Sequence, residues 1–544
     1  MSSIVKPSIS NLEGGPVAVD SEETAQSRPR SPADTPPGVV QKPKSSTRSP
    51  PQQAKTSDDL PPKDAPREMF EEESEEIKEP VKTRATPQDR LDNLIRQYYS
   101  LNPYSYSSTV NHELEVKFGT KGIKSLLRND YDNVIKKLKS SGFQVVNGNS
   151  NGDYYLRVNC EFLDSTTGRF KLSDIVRTEI KGLHAIQEYC KSNDIKSLYT
   201  SNPVAVTFIH KKSGVINKER VYPVDFDDFN FRVAYQTEEK INQGLKTFMM
   251  ENWRKSKKEF RLLNRVSFEH PDYPFIVDVS IAKFGNRGPD KYGRENRGQM
   301  IRVYNLDESN IFNNPEVYEI EIEIDNGKIG PSTEFNSPKL IAEALRKVIK
   351  YVLSGLQGTN YPVSYPEQKH ISASYMRMIW KDEYDATKFI SSKNFIGPNS
   401  ITLQLKNIAP LDDNSTEPNI RKGFVVTEKA DGERHLMFIS NEGKVYLINT
   451  NMDVIFTGAK TQNKECFNAI LDGELIAHDK NGKFINLYAA FDIYYIKNQD
   501  VRAYSFMLPE KEKDVYKSRY QLLKYVEHNL KLVSILNTSA SDKP

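Results

Sequence analysis

Two stretches of this chain, HELEVKF at residues 112–118 and YEIEIEID at 318–325, alternate charged and apolar side chains with a period of two. An extended strand gives that period its physical meaning. Leu114, Val116 and Phe118 then share one face and Glu113, Glu115 and Lys117 the other, while Glu319, Glu321 and Glu323 form a second acidic row. Stacked like charges repel by about 4 kcal/mol per pair at 4 Å when the effective dielectric is near 20, so something cationic has to lie between the rows. A divalent ion meets that need, because hard cations such as Mg2+ prefer carboxylates and keep waters that a phosphate can displace. The competing reading is a pair of edge strands whose charged outer faces block aggregation.

Further β-type runs at 156–163, 174–181, 204–211, 230–236, 259–268, 275–284 and 317–325 are separated by turn signals such as KKSG and HPDYP. About eight antiparallel strands without intervening helices predict a closed barrel. Arg177 and Glu179, Lys211, Arg232, Arg265 and Asp278 fall among apolar neighbours in these runs. They predict a wet interior with acidic and basic walls that suits a polyphosphate chain, with carboxylates holding a metal and bases neutralising phosphate oxygens. For any one of these bases an ordinary surface salt bridge is the alternative.

Helices are predicted around this core. Thr86-Pro87 starts one with Leu91, Leu94, Ile95 and Tyr98 as its stripe; Tyr131, Val134, Ile135 and Leu138 mark a second, stopped at Gly142. Ser337-Pro338 starts another, with Ile341, Leu345, Val348 and Val352 on one side and an end at Gly355. The turn-rich GTNYPVSYPEQ (358–368) marks a domain boundary. Before residue 86 the character changes: nearly half of the 30 prolines lie in the first ninety residues, with Phe70 the one aromatic. Residues 1–85, including the acidic run at 71–79, therefore read as a disordered tail.

No run approaches the roughly 18 apolar residues of a membrane span, and the N-terminus lacks a signal-peptide apolar region; the chain reads as soluble and intracellular, without a membrane partner. Cys160, Cys190 and Cys466 have neither disulfide-framework nor zinc spacing, and read as buried thiols in a reducing compartment. Lysine and arginine total 76 against 73 aspartates and glutamates, so any polyanion must be met in a local site rather than by overall charge.

The second informative region is GFVVTEKADGERHLMFIS (423–440). It predicts an apolar strand ending at Lys429, a tight turn at Gly432, and a hairpin through Asn441-Glu442-Gly443. A lysine at a strand end beside Asp431 and Arg434 is placed for nucleophilic attack, provided its pKa is lowered. LDGELI (471–476) and AFDI (490–493) follow as two more acidic strand motifs.

These residues carry two family resemblances. Glu113, Glu115 and Lys117 with Glu319, Glu321 and Glu323 resemble the paired acidic strands of the triphosphate tunnel metalloenzymes, most of all the metal-dependent RNA 5′-triphosphatases of fungi, protozoa and large DNA viruses. The resemblance implies an eight-stranded tunnel that removes the γ-phosphate from a nascent transcript. Mg2+ or Mn2+ would lie on Glu113, Glu115, Glu319 and Glu321. Lys117, Arg177, Lys211, Arg232 and Arg265 would contact phosphates, and Glu179, Asp278 and Glu323 would support the lining. EKADGER, LDGELI and AFDIYYI resemble motifs of the covalent nucleotidyltransferases, and FIGPNSITLQLKNI (395–408) resembles the entry segment of viral guanylyltransferases. This implies a lysyl-N-GMP intermediate on Lys429, with Asp431, Arg434, Glu474 and Asp492 around GTP.

Together they resemble the multifunctional mRNA-capping enzymes of large DNA and giant viruses. The fold expected is α+β: an unstructured 1–85, a triphosphatase tunnel over 86–365 and the first part of a nucleotidyltransferase domain over 366–544. The implied partners are the 5′ end of nascent mRNA and GTP, with a cap methyltransferase or the transcription machinery beside them, in the host cytoplasm, viral factory or virion. The later nucleotidyltransferase motifs and the OB-fold are not found in 493–544, so the second activity is expected to be incomplete. A ligase-like adenylyltransferase and a noncatalytic polyphosphate-binding scaffold remain as alternatives.

Overall fold

Strands with one apolar and one charged face can close on themselves in either sense, and here the charged faces turn inward. In a computed structural model that describes residues 85–105, 110–120, 122–163, 170–294, 298–508 and 518–536, with side chains from 162 to 175 excluded, eight strands form a closed antiparallel barrel. They are β1 (Val110–Phe118), β2 (Asp153–Leu163), β3 (Phe170–Lys181), β4 (Val206–Ser213), β5 (Phe231–Lys240), β6 (Lys258–Glu269), β7 (Phe275–Phe284) and β8 (Val317–Ile324). Their order around the wall is β1, β8, β7, β6, β2, β3, β4, β5 and back to β1. The predicted tail over 1–85 lies outside the described residues but for its last position.

The outward apolar rows are covered by helices. On one side α1 (Pro87–Ser100), α2 (Arg128–Ser140) and the long helix Pro338–Gln357 bury Leu91, Tyr98, Val134, Leu345 and Val348 against Val116, Phe268, Val277 and Ile322. Thr86 caps α1 through a reciprocal pair with Asp89. On the other side α3 (Leu183–Ser192), α4 (Ile195–Ser201) and α5 (Gln243–Asn252) pack Tyr189, Leu198 and Met249 on Leu156, Val158, Phe208 and Phe260. These three helices correct the expectation of strands joined without helices. A barrel with a charged lumen must bury its apolar surface outside, and both halves of the wall need a cover.

A second correction concerns Gly355. The helix runs past it to Gln357 and is capped by Gly358 in the left-handed region at φ 64°. A Cβ on Gly355 would lie 2.7 Å from the Val134 Cα, so the glycine serves close approach of two helices rather than termination.

A separate antiparallel sheet carries the rest. Its central strands, β9 (Glu433–Ile439), β10 (Lys444–Asn449), β11 (Val454–Thr461), β12 (Ala469–His478) and β13 (Phe484–Ile496), are ordered β13-β12-β9-β10-β11. The expected turn is there between β9 and β10, with Gly443 at φ 77°. Helix Tyr365–Trp380 covers one face through Ile371 and Tyr375 against Leu436 and Phe438; helix Arg519–Asn529 covers the other through Leu522 and Val526 near Met437 and Leu471. Cys160 and Cys466 are buried, Cys190 is partly so, and all three are free thiols. No described helix is long and apolar enough to cross a membrane.

Candidate functional site: the barrel lumen and the β9–β12 cluster

Register brings the two acidic rows side by side. Glu115 stands opposite Glu323 and Lys117 opposite Glu321 across β1 and β8, and Glu321 is flanked on β7 by Asp278. Lys117 Nζ lies 3.1 Å from Glu115 and 3.4 Å from Glu321, so the two carboxylates face a single point inside the barrel. Lys211 lies 2.5 Å from Glu113 and 3.8 Å from Glu115. Arg265 bridges Asp278 at 2.7 Å and Glu321 at 3.0 Å, and Glu319 is held by Arg261. On the opposite wall Arg157 meets Glu179 at 2.7 Å, and Arg177 meets Glu238 at 2.9 Å and Glu179 at 3.9 Å.

The cations required between the acidic rows are thus the protein's own. Burial pushes Glu321 up, but Lys117, Arg265 and Arg261 outweigh it and hold the carboxyl at about 2. Burial also raises Glu113, with Lys211 opposing and Glu238 and Glu115 reinforcing. Glu323 is pushed to about 8 by burial and by repulsion from Glu113 and Asp278. The two glutamates on one strand, two residues apart, therefore sit on opposite sides of neutral pH.

Of the residues expected to line this site, Arg232 is the outlier. It lies at the rim, 42% exposed, paired at 2.7 Å with Asp225 on a short strand (Val224–Phe226) that continues the wall beside β5. Among the described residues, no three carboxylates, imidazoles or thiols are grouped so as to hold a metal ion as they stand, because each glutamate of the expected ligand set rests on a lysine or arginine. The donors still suit a hard cation: Glu115 Oε1 is buried and accepts no hydrogen bond, and burial with mutual repulsion raises Glu113 and Glu323.

Sequence reading passed over Arg157 and Arg261. Both alternate with apolar residues, Arg157 between Leu156 and Val158 and Arg261 beside Phe260. The period of two was the available signal. With Arg177, Lys211 and Gln236 they line a cavity of about 340 Å³; Nε of Arg177 and Arg261 and Oε1 of Gln236 are buried without hydrogen-bond partners.

In the second sheet β9 and β12 pair Arg434 with Glu474. Gly432 donates its N–H to Glu474 at 3.0 Å, and a Cβ on Gly432 would lie 2.7 Å from the Leu475 carbonyl oxygen; close approach, rather than a turn, requires this glycine. Arg434 grips Asp472 at 3.1 and 2.5 Å and donates to the Pro398 carbonyl at 2.6 Å. Asp472, fully buried and also bonded by Tyr494 at 2.5 Å, is the organising residue that the sequence reading missed. Asp492 lies on the neighbouring strand, paired with Arg519 at 2.8 Å.

Lys429 is not on a strand. Residues 424–432 have no regular structure, and Phe424, Val425 and Val426 are exposed; apolar residues without a surface to pack on do not hold a strand. Lys429 itself is 84% exposed and sits 2.5 Å from Asp431, which raises its pKa. The expectation of a lowered value is corrected: in this conformation Asp431 stabilises the Lys429 ammonium.

Residues 361–531 match the family described as mRNA capping enzyme, catalytic domain. A probable mRNA-capping enzyme of Acanthamoeba polyphaga mimivirus is 27% identical over 191 residues, and an mRNA-capping enzyme of Danio rerio 30% identical over 138. These matches take in 35% and 24% of this chain but span only 13% and 22% of the relatives' own length. A solved mimivirus capping enzyme triphosphatase superposes over 48% of this chain and 97% of its own, at 13% identity and a TM-score of 0.28. That score is too low to decide anything, and the barrel assignment rests on the strand pairing above.

Proposed function

We propose, from the match of residues 361–531 to the mRNA capping enzyme catalytic domain, that this chain performs two consecutive steps at an RNA 5′ end. Residues 86–365 would remove the γ-phosphate of triphosphate-ended RNA, and residues 366–544 would transfer GMP through Lys429. The observation that supports the first step is the lumen, a closed wall that gathers bases around a cavity and places Glu115 and Glu321 about one point beside it.

Phosphoryl transfer is catalysed mainly by positioning and by stabilising charge. Arg157, Arg177, Lys211 and Arg261 would take phosphate oxygens, releasing in exchange the carboxylates they now hold. Arg265 keeps Asp278 and Glu321 fixed. Glu113, Glu115, Glu319 and Glu321 would hold Mg2+ or Mn2+, which when bound supplies positive charge against the departing phosphate. Arg232, tied to Asp225 at the rim, would meet substrate only at the edge.

In the second step the neutral Lys429 amine would attack the α-phosphorus of GTP, forming an N–P bond as the α–β anhydride breaks and pyrophosphate leaves. Arg434 and Glu474 are adjacent for the ribose, with Asp492 on the next strand. Asp431 accepts a hydrogen bond from the Lys429 ammonium and stabilises it, so Lys429 would lose its proton more readily once turned away from Asp431.

The test separates the two steps. The full chain is incubated with α-labelled GTP, with α-labelled ATP, and with γ-labelled triphosphate RNA. GTP label on the protein that disappears in Lys429→Ala, together with phosphate release from RNA, is expected. Labelling by ATP alone would make the second step ligase-like, and binding of RNA without release in either metal would reduce the tunnel to a scaffold.

A further inference from the structure

Between β7 and β8 the chain makes an excursion, described over residues 285–294 and 298–316, whose first part, up to residue 304, folds back along the barrel. The two stretches pair with each other: Gly288 donates to Gln299 at 3.0 Å, Ile301 donates to Asn286 at 2.7 Å, and Arg287 bridges Met300. Val303 then pairs with Lys258, the first residue of β6, through hydrogen bonds of 2.7 and 3.0 Å in the two directions. This adds the segment to the barrel wall beyond the end of β7.

The strand period fixes which side chains face in. Lys258 and Val303 point outward into the core under α3–α5, so Met300 and Arg302 point into the lumen. Met300 accordingly lines the basic cavity, and Arg302 lies 3.5 Å from both Glu161 and Glu259. The attachment is rigid. The Lys258 ammonium, wholly buried, donates to the Ser256 and Tyr304 carbonyls at 2.7 Å each.

At this mouth of the lumen the same excursion is basic and aromatic. Tyr292 is 70% exposed and Tyr304 49% exposed. Lys291 and Arg294 lie 4.8 and 5.2 Å from the Tyr292 ring, Lys257 lies 5.5 Å from Tyr304, and Arg287 stacks on Phe284 at 4.8 Å. Exposed rings ringed by cations have no packing role. They suit single-stranded nucleic acid, whose bases stack on aromatic faces while cations follow the phosphates.

We propose that this excursion is the RNA entry surface of the tunnel: Tyr292 and Tyr304 stack the first unpaired bases of the transcript, Arg287 and Lys291 meet its phosphodiesters, and the Met300–Arg302 edge leads the triphosphate into the cavity. The proposal rests on the triphosphatase reading of the lumen and deepens it by fixing which mouth admits substrate and predicting that a polynucleotide is preferred to a free triphosphate.

The experiment compares Tyr292→Ala, Tyr304→Ala and the pair with wild type on two substrates, a short single-stranded 5′-triphosphate RNA and inorganic tripolyphosphate. Stacking losses of the usual size lower the ratio of RNA to tripolyphosphate kcat/KM by roughly fivefold or more per ring. Arg287→Gln with Lys291→Gln should also flatten the salt dependence of RNA binding, measured by anisotropy of a labelled RNA. Equal loss on both substrates, or an unaltered ratio and salt slope, overturns the proposal. If wild type releases phosphate from neither substrate, the triphosphatase reading fails instead, and the anisotropy comparison still decides whether this surface binds RNA.

Discussion

Glu323→Gln should stabilise the barrel, although it removes an acidic residue from a lumen full of arginines and lysines. The unfolded-chain carboxyl ionises near 4.5, whereas burial, with Glu113 and Asp278 adding repulsion, moves it to about 8 in the folded protein. At pH 7 folding therefore takes up a proton. Below pH 4.5 both states are protonated and the group costs nothing; the cost grows as pH rises and levels off above about 8. Two and a half pH units at about 1.4 kcal/mol each come to roughly 3 kcal/mol at pH 7, and to under about 1 kcal/mol at pH 5. Glutamine keeps the shape without the charge and should recover most of that. The assay is urea denaturation in EDTA, followed through the buried Trp253, at pH 5 and pH 7. A variant no more stable than wild type at pH 7, or a gain that is the same at both pH values, would refute the assigned proton.

Glu321→Gln should behave oppositely in the same assay. Its carboxyl, held at about 2, contributes stability above pH 4.5 that is lost as pH falls toward 2, and removing it should cost on the order of 3 kcal/mol at pH 7; a neutral result would contradict the ion-pair geometry. Gly355→Ala pushes a methyl to 2.7 Å from Val134 and should destabilise by about 1–3 kcal/mol, seen as a lower Tm. Asp431→Asn removes the partner that raises Lys429, so Lys429 should acylate faster with an amine reagent at fixed pH, read by peptide mass spectrometry; equal or slower labelling would show that Asp431 does not hold the proton.

The barrel was legible because its strands repeat one pattern: Val116 and Ile322 outward, Glu115 and Glu321 inward. Phe275–Phe284 was bounded to the residue, and the stripe of α1 was complete. What escaped was pairing. Period tells which face a residue takes but not its neighbour across the ladder, so the lysine and arginine partners of each glutamate, and the rim position of Arg232, appeared only once register was fixed. Helices α3–α5 fall in the gaps 182–203 and 237–258 between the expected strands, and escaped because an antiparallel barrel needs no helical crossovers to close. In the sheet of β9–β13 the motif residues were visible, but the strand before Lys429 was inferred from apolar side chains that have nothing to pack on, and Asp472 was passed over because burial is not written in DGE.

On the proposed mechanism the acidic rows of β1 and β8 act together on a 5′-triphosphate inside the barrel. Release of γ-labelled phosphate from triphosphate-ended RNA, measured with Mg2+ and with Mn2+ for wild type, Glu115→Ala and Glu321→Ala, tests it most directly. Metal-dependent release by wild type that both substitutions abolish is the predicted result; undiminished release by either variant would contradict it.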